Sequence, residues 1–147
     1  MAIEYTLYFD TETPVRRLYE SACAGVGQVP DQTGTGSFAF AGGALQGVIS
    51  IPNKVTKEIV AEEFSIDARV RVLFRLDKFA LEEAQGSLVR CVSELMSANN
   101  HDATLLFNGE LVVLRRVAGE LVLRDDFGVW TPTRLSLLRV PYRVGAI

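Results

Sequence analysis

Between Ile66 and Leu76 apolar and polar residues alternate almost without interruption. Ile66, Ala68, Val70, Val72, Phe74 and Leu76 fall on one side of an extended chain, and Asp67, Arg69, Arg71, Leu73 and Arg75 on the other. A period of two over such a length predicts a strand with one face on a core and one face in water. At about 3.3 Å per residue it would run roughly 36 Å, close to the diameter of a domain of this size. Such a strand organises a sheet and places Arg69, Arg71 and Arg75 together on its outer face.

The flanking sequence supplies more strands and two helices. Ile3, Tyr5, Leu7 and Phe9 alternate with Glu4, Thr6 and Tyr8, a first strand. Thr13 and Pro14 read as the N-cap and first position of a helix carrying Val15, Leu18, Ala22 and Val26, with Gly25 and Gly27 to end it. Phe38 and Phe40 begin a short strand, Ala41 to Ala44 a tight turn, and Leu45 to Ile51 a return strand. Val55 to Phe64 fits a strand or a helical turn and is read as a short strand. Leu81, Ala84, Leu88, Cys91, Val92, Leu95 and Met96 form the stripe of a second amphipathic helix. Gly86 within it predicts close packing on the sheet, because glycine otherwise costs about 1 kcal/mol in a helix. Three strands follow, 103–107, 110–117 and 120–124, turning at Asn108-Gly109 and Ala118-Gly119. Trp130 to Leu135 reads as a last helical turn. The expectation is one α+β domain over residues 1–147, an antiparallel sheet of about six to eight strands with two amphipathic helices packed on one face.

Composition narrows the partners. A chain of 147 residues with 48% hydrophobic and 22% charged residues is globular, long enough to bury about two thirds of its unfolded surface. A net charge of -3 argues against nucleic acid, whose binders need a basic balance. No stretch approaches the roughly 20 apolar residues of a membrane span. The start, Met1 to Tyr5, has neither a basic region nor an apolar run, so no signal peptide is expected. Cys23 and Cys91 read as buried thiols of a cytoplasmic protein.

Few residues point to chemistry. His101 is the sole histidine, and no Cys-x-x-Cys accompanies it, so neither a metal site nor a cofactor is expected. A hydrolytic role for His101 with a neighbouring carboxylate such as Asp102 is a third reading. Thr33-Gly34-Thr35-Gly36-Ser37 is glycine-rich, but it runs from a helix toward a strand, the reverse of a phosphate-cradling loop. A small-molecule or nucleotide site in the 29–44 loop is the alternative reading. Arg69, Arg71 and Arg75, with Arg115 or Arg116 nearby, admit two readings. They can form a solvated face, paired across strands with Glu110, Glu120 or Asp67. They can also form an electropositive patch that receives an acidic partner.

The segment Phe74-Arg75-Leu76-Asp77-Lys78-Phe79 with the helix behind it resembles the Sit immunity-protein family. So do Ile3 to Leu7, Asp102 to Phe107, Glu110, Leu114-Arg115-Arg116, Gly119-Glu120-Leu121, Trp130, Arg134-Leu135 and Pro141-Tyr142-Arg143. The match is sparse from 25 to 60. The resemblance implies a cytoplasmic, non-enzymatic antidote that binds a cognate toxin domain in competition between bacterial kin, and it carries over no catalytic residue. The candidate partner-binding residues are Arg69, Arg71, Phe38 and Phe40, on the premise that aromatic and arginine anchors dominate interface energy.

Overall fold

Period-two patterning builds the sheet. The computed structural model describes residues 3–31, 34 and 36–147. Its strands are β1 (Ile3–Phe9), β2 (Phe38–Gly42), β3 (Leu45–Ser50), β4 (Val70–Leu76), β5 (Ala103–Phe107), β6 (Leu111–Val117), β7 (Glu120–Arg124) and β8 (Arg143–Gly145). They form one sheet in the order β2-β3-β4-β1-β5-β6-β7-β8. Neighbours are antiparallel except for β7 and β8, which run parallel. The first strand is therefore central, with Tyr5 opposite Phe74 on one side and Phe107 on the other. The α+β class and the strand number are as expected; the parallel edge strand β8 was not foreseen.

The long alternation becomes a shorter strand than its pattern predicts. β4 begins at Val70, not Ile66. The Arg69 N–H donates to the carbonyls of Phe9 and Asp67, turning the chain as it enters the sheet. Apolar side chains stay buried on both sides of that turn, in different places. Val70, Val72, Phe74 and Leu76 join the main core. Ile66 and Ala68 join Tyr8, Val60 and Leu106 in a second cluster. Tyr8 and Leu106 alternate with the core residues Leu7, Phe9 and Leu105, so this second cluster lies on the opposite face of the sheet.

Two helices, α1 (Val15–Val26) and α3 (Leu81–Ala98), pack side by side over the core face, as expected. Thr13 is not the N-cap of α1. Its N–H donates to Thr11 Oγ1 and its hydroxyl accepts from the Thr11 hydroxyl, leaving Pro14 at the cap position. The short strand expected from Val55 to Phe64 is instead a helix, α2 (Lys54–Phe64). Asn53 caps it by accepting the Thr56 N–H at 2.8 Å, and Ser65 ends it in the left-handed region. Of this helix only Val60 is buried, so the sequence carries almost no amphipathic stripe. The helix covers the outer face through the second cluster. A last turn, α4 (Pro132–Leu135), is capped by Thr131.

Close packing occurs at Gly25 and not at Gly86. A Cβ on Gly25 would sit 2.6 Å from Cys91 Cα and 2.8 Å from its N, so α1 and α3 meet backbone to backbone. A Cβ on Gly86 would meet only Arg90 Nη1, at 3.7 Å. Both cysteines are buried at this helix pair, and Cys91 Sγ donates to the Ala22 carbonyl at 3.3 Å. Desolvation pushes the Cys91 thiol up to about 12 and raises Cys23 as well.

Gly25→Ala should lower the unfolding free energy in urea by about 1–3 kcal/mol, because strain from overpacking exceeds the gain of roughly 1 kcal/mol in helix propensity. Gly86→Ala should raise it by about 0.5–1 kcal/mol. A Gly25→Ala chain as stable as the original would contradict backbone contact between the helices. Both thiols should resist a disulfide labelling reagent in mildly alkaline buffer until urea unfolds the chain, since neutral buried thiols are poor nucleophiles. Labelling ahead of the unfolding transition would count against their burial.

Candidate partner-binding surface

Strand register lays out the outer face in rows. Ser50, Arg71, Tyr8 and Thr104 stand opposite one another across β3, β4, β1 and β5. The next row holds Ala39, Val48, Leu73, Thr6 and Leu106, and the one after it Ala41, Gln46, Arg75 and Glu4. The segment from α2 to Ala68 covers the Tyr8 and Leu106 part of this face. Toward β2 the face is open. An indentation of about 690 Å³ lies there, and Gln28, Ala39, Ala41, Gln46, Val48, Leu73 and Arg75 are among the residues that line it.

Four exposed apolar side chains run on from it in sequence. Val48 is 40%, Ile51 66%, Val55 63% and Ile59 49% exposed. Single exposed apolar residues are ordinary on any surface. Here they follow one another from β3 into α2, where Val55 and Ile59 share one side of the helix at i, i+4 spacing.

The arginines of the 66–76 segment have separate fates. Arg69 precedes β4 and is held by three carboxylates, Asp10 and Glu12 at 3.1 Å and Asp67 at 3.3 Å. The hydrogen bonds it donates to Asp67 and Glu12, then the charge of Asp10, raise its pKa further. It ties the end of β1 to the entry of β4. Arg75 pairs with Glu4 at 2.9 Å, its direct cross-strand neighbour. Arg71, between them, makes no ion pair among the described residues, and its Nε is buried without a hydrogen-bond partner. Arg115 lies on the outer face opposite Thr104 and Val122. Arg116 points into the interior, donating to the carbonyls of Met96 and His101 and to Asn99 Oδ1. It closes the C-terminal end of α3. Glu120 pairs with Arg143, not with the arginines of β4.

Phe38 and Phe40 are core residues, 8% and 3% exposed, and not the surface anchors expected of them. The Phe38 ring stacks on Tyr19 with centroids 5.0 Å apart, and the Arg16 guanidinium lies over both rings. Phe40 meets Phe74 edge-on at 6.0 Å and occupies the space a side chain would take at Gly47. Their strand presents only the small residues Ala39 and Ala41 outward. That alternation was readable in the sequence, since Phe38 and Phe40 stand two apart.

The remaining candidates do not assemble into a catalytic centre. His101 lies on an exposed turn near Asp10, Glu12, Arg69 and Asp102. Asp10 and Glu12 are paired with Arg69, and Asp102 Oδ1 accepts the Ala118 N–H. Among the described residues no three His, Cys, Asp or Glu side chains group so as to hold a metal ion. No helix among them is long and apolar enough to cross a membrane. Of the glycine-rich loop, Gln32, Thr33 and Thr35 lie outside the described residues. On either side of them the Asp31 N–H donates to the Tyr19 hydroxyl, and Gln28 Oε1 accepts the Ala41 N–H of the edge strand.

No curated protein and no solved structure matches the chain. A family model described as SitI3-like matches residues 3–134. That span runs from the first residue of β1 into α4, taking in both long helices, α2 and every strand except β8. Coverage of nearly the whole sheet, in agreement with the resemblance carried by the short motifs, means that the chain belongs to the SitI3-like family, a family of the Sit immunity-protein type.

Proposed function

We propose that the chain is a cytoplasmic, non-catalytic immunity protein that binds one cognate bacterial toxin domain and occludes its active surface. Membership of the SitI3-like family carries this reading. The open part of the outer face supports it, because a stable complex needs roughly 800 Å² from each partner with an apolar centre. A single helix covers part of that face, and Val48, Ile51, Val55 and Ile59 leave apolar surface in water beside it. Neutralisation then needs only complementary packing, with a few side chains carrying most of the energy.

A cognate toxin domain, sought in the genes beside this one, should kill sensitive cells when produced, and co-production of this chain should restore growth. Cells that die equally with and without it would sink the reading.

The indentation beside β2 supports a second reading, a small-molecule site, since its size falls within the usual range for ligand pockets. A bound ligand at a hundred times its dissociation constant adds about 2.7 kcal/mol to stability. A panel of nucleotides and common metabolites should leave the melting temperature unchanged if the immunity reading holds. A saturable upward shift with any of them would favour the second.

A further inference from the structure

We propose that Arg71 is the acid-receiving centre of the toxin-docking surface. A carboxylate of the cognate toxin sits against its guanidinium, and an aliphatic toxin side chain beside it fills the indentation over Ala39, Val48 and Leu73. This inference rests on the immunity reading and names the chemistry its partner must present.

Three arginines of the same stretch differ in one respect. Arg69 has three carboxylates within 3.3 Å and Arg75 has one at 2.9 Å. Arg71 has none among the described residues. Its cross-strand neighbours, Ser50 and Tyr8, bring hydroxyls, and its neighbours along the face are Arg69 and Leu73. The nearest diagonal acid, Asp10, is already taken by Arg69 at 3.1 Å. On a chain of net charge -3, the unpaired charge in this place is positive.

The Arg71 Nε is closed to water and makes no bond within the described residues, so an incoming oxygen would meet the terminal nitrogens of the guanidinium. The planar fork favours a carboxylate, which can accept two parallel N–H bonds. Leu73 is the next residue on the same face, so the partner's carboxylate and aliphatic group should lie about 7 Å apart, twice the rise per residue of a strand. The small Ala39 and half-exposed Val48, in the Leu73 row, leave room for the aliphatic group.

The test is isothermal titration of this chain with the toxin domain that it rescues cells from. Arg71→Gln should weaken binding about thirty-fold or more, the usual loss on removing one partner of a buried charge pair. Leu73→Lys should do the same, while Val117→Lys, on the far open part of the same face, should bind as the original does. One Asp or Glu of the toxin changed to Arg should lose binding to the original chain and regain it with Arg71→Glu. Circular dichroism and melting curves establish that each variant is folded. Should the Arg71 variants fail to fold, neutralising the toxin's carboxylates one at a time against the unaltered chain decides the matter. No loss from any of them would overturn the proposal. Unchanged affinity of a folded Arg71→Gln chain that still protects cells overturns it and leaves the immunity reading standing. No binding by the original chain overturns both. A dimer of this chain that Arg71→Gln dissolves would assign the face to a second copy and overturn the proposal too.

Discussion

The missing side chain at Gly25 sets the spacing of the helical layer. Because α1 can touch the Cys91 backbone of α3, two helices fit side by side over the centre of the sheet. Their buried stripes share one core with Tyr5, Leu7, Phe9, Val72, Phe74 and Leu105 of β1, β4 and β5. Side-chain bonds tie this layer to the loops around it. The Ser87 hydroxyl donates to the Gly43 carbonyl in the β2–β3 turn, and Ser93 Oγ accepts the Arg139 N–H of the C-terminal segment. One face of the molecule is closed in this way. The other is covered in one part only by α2 and the turn that follows it, and that asymmetry puts the available surface on the outer face.

On that outer face, charge is allocated by reach. Arg69, Arg71 and Arg75 have the same chemistry and nearly the same direction, yet neighbouring acids separate their roles. The cluster around Arg69 joins Asp10 and Glu12, just beyond β1, to Asp67 at the entry to β4, and the Arg75–Glu4 pair spans the same two strands near their other end. Exposed pairs of this kind each add little to stability; what they do is take two arginines out of competition for an incoming group.

Much of the architecture was legible from local rules. Alternation marks β1 and β4, Asn108-Gly109 and Ala118-Gly119 mark the meander, and the stripe from Leu81 to Met96 marks α3. The misreadings share a cause, which is that pattern reports burial and not the object that does the burying. Ile66 and Ala68 are buried as their alternation predicts, but beneath α2 on the far side of the sheet. Val55 and Ile59 are apolar and exposed, whereas Val60 is apolar and buried, so α2 offers no clean helical period. Gly86 and Gly25 look alike in sequence, and only the approach of a second helix distinguishes them. The candidate site was half legible: alternation aligned the arginines of the 66–76 segment and left both their readings open, while which of them are paired depends on Glu12, Glu4 and Asp10, far away along the chain.

The Gln28 side chain, accepting the Ala41 N–H of β2, has a consequence for how the molecule behaves in a crowded cell. An exposed edge strand is a template on which another chain can extend the sheet, and proteins commonly blunt such edges. Here the blunting comes from just past the end of α1, so the capping glutamine is placed only once that helix is seated. The short β8 limits the opposite edge by its length. Self-association through runaway strand pairing is thereby restrained at both ends, and what the sheet leaves open is a face of side chains, where a residue can be replaced without disturbing the backbone ladder.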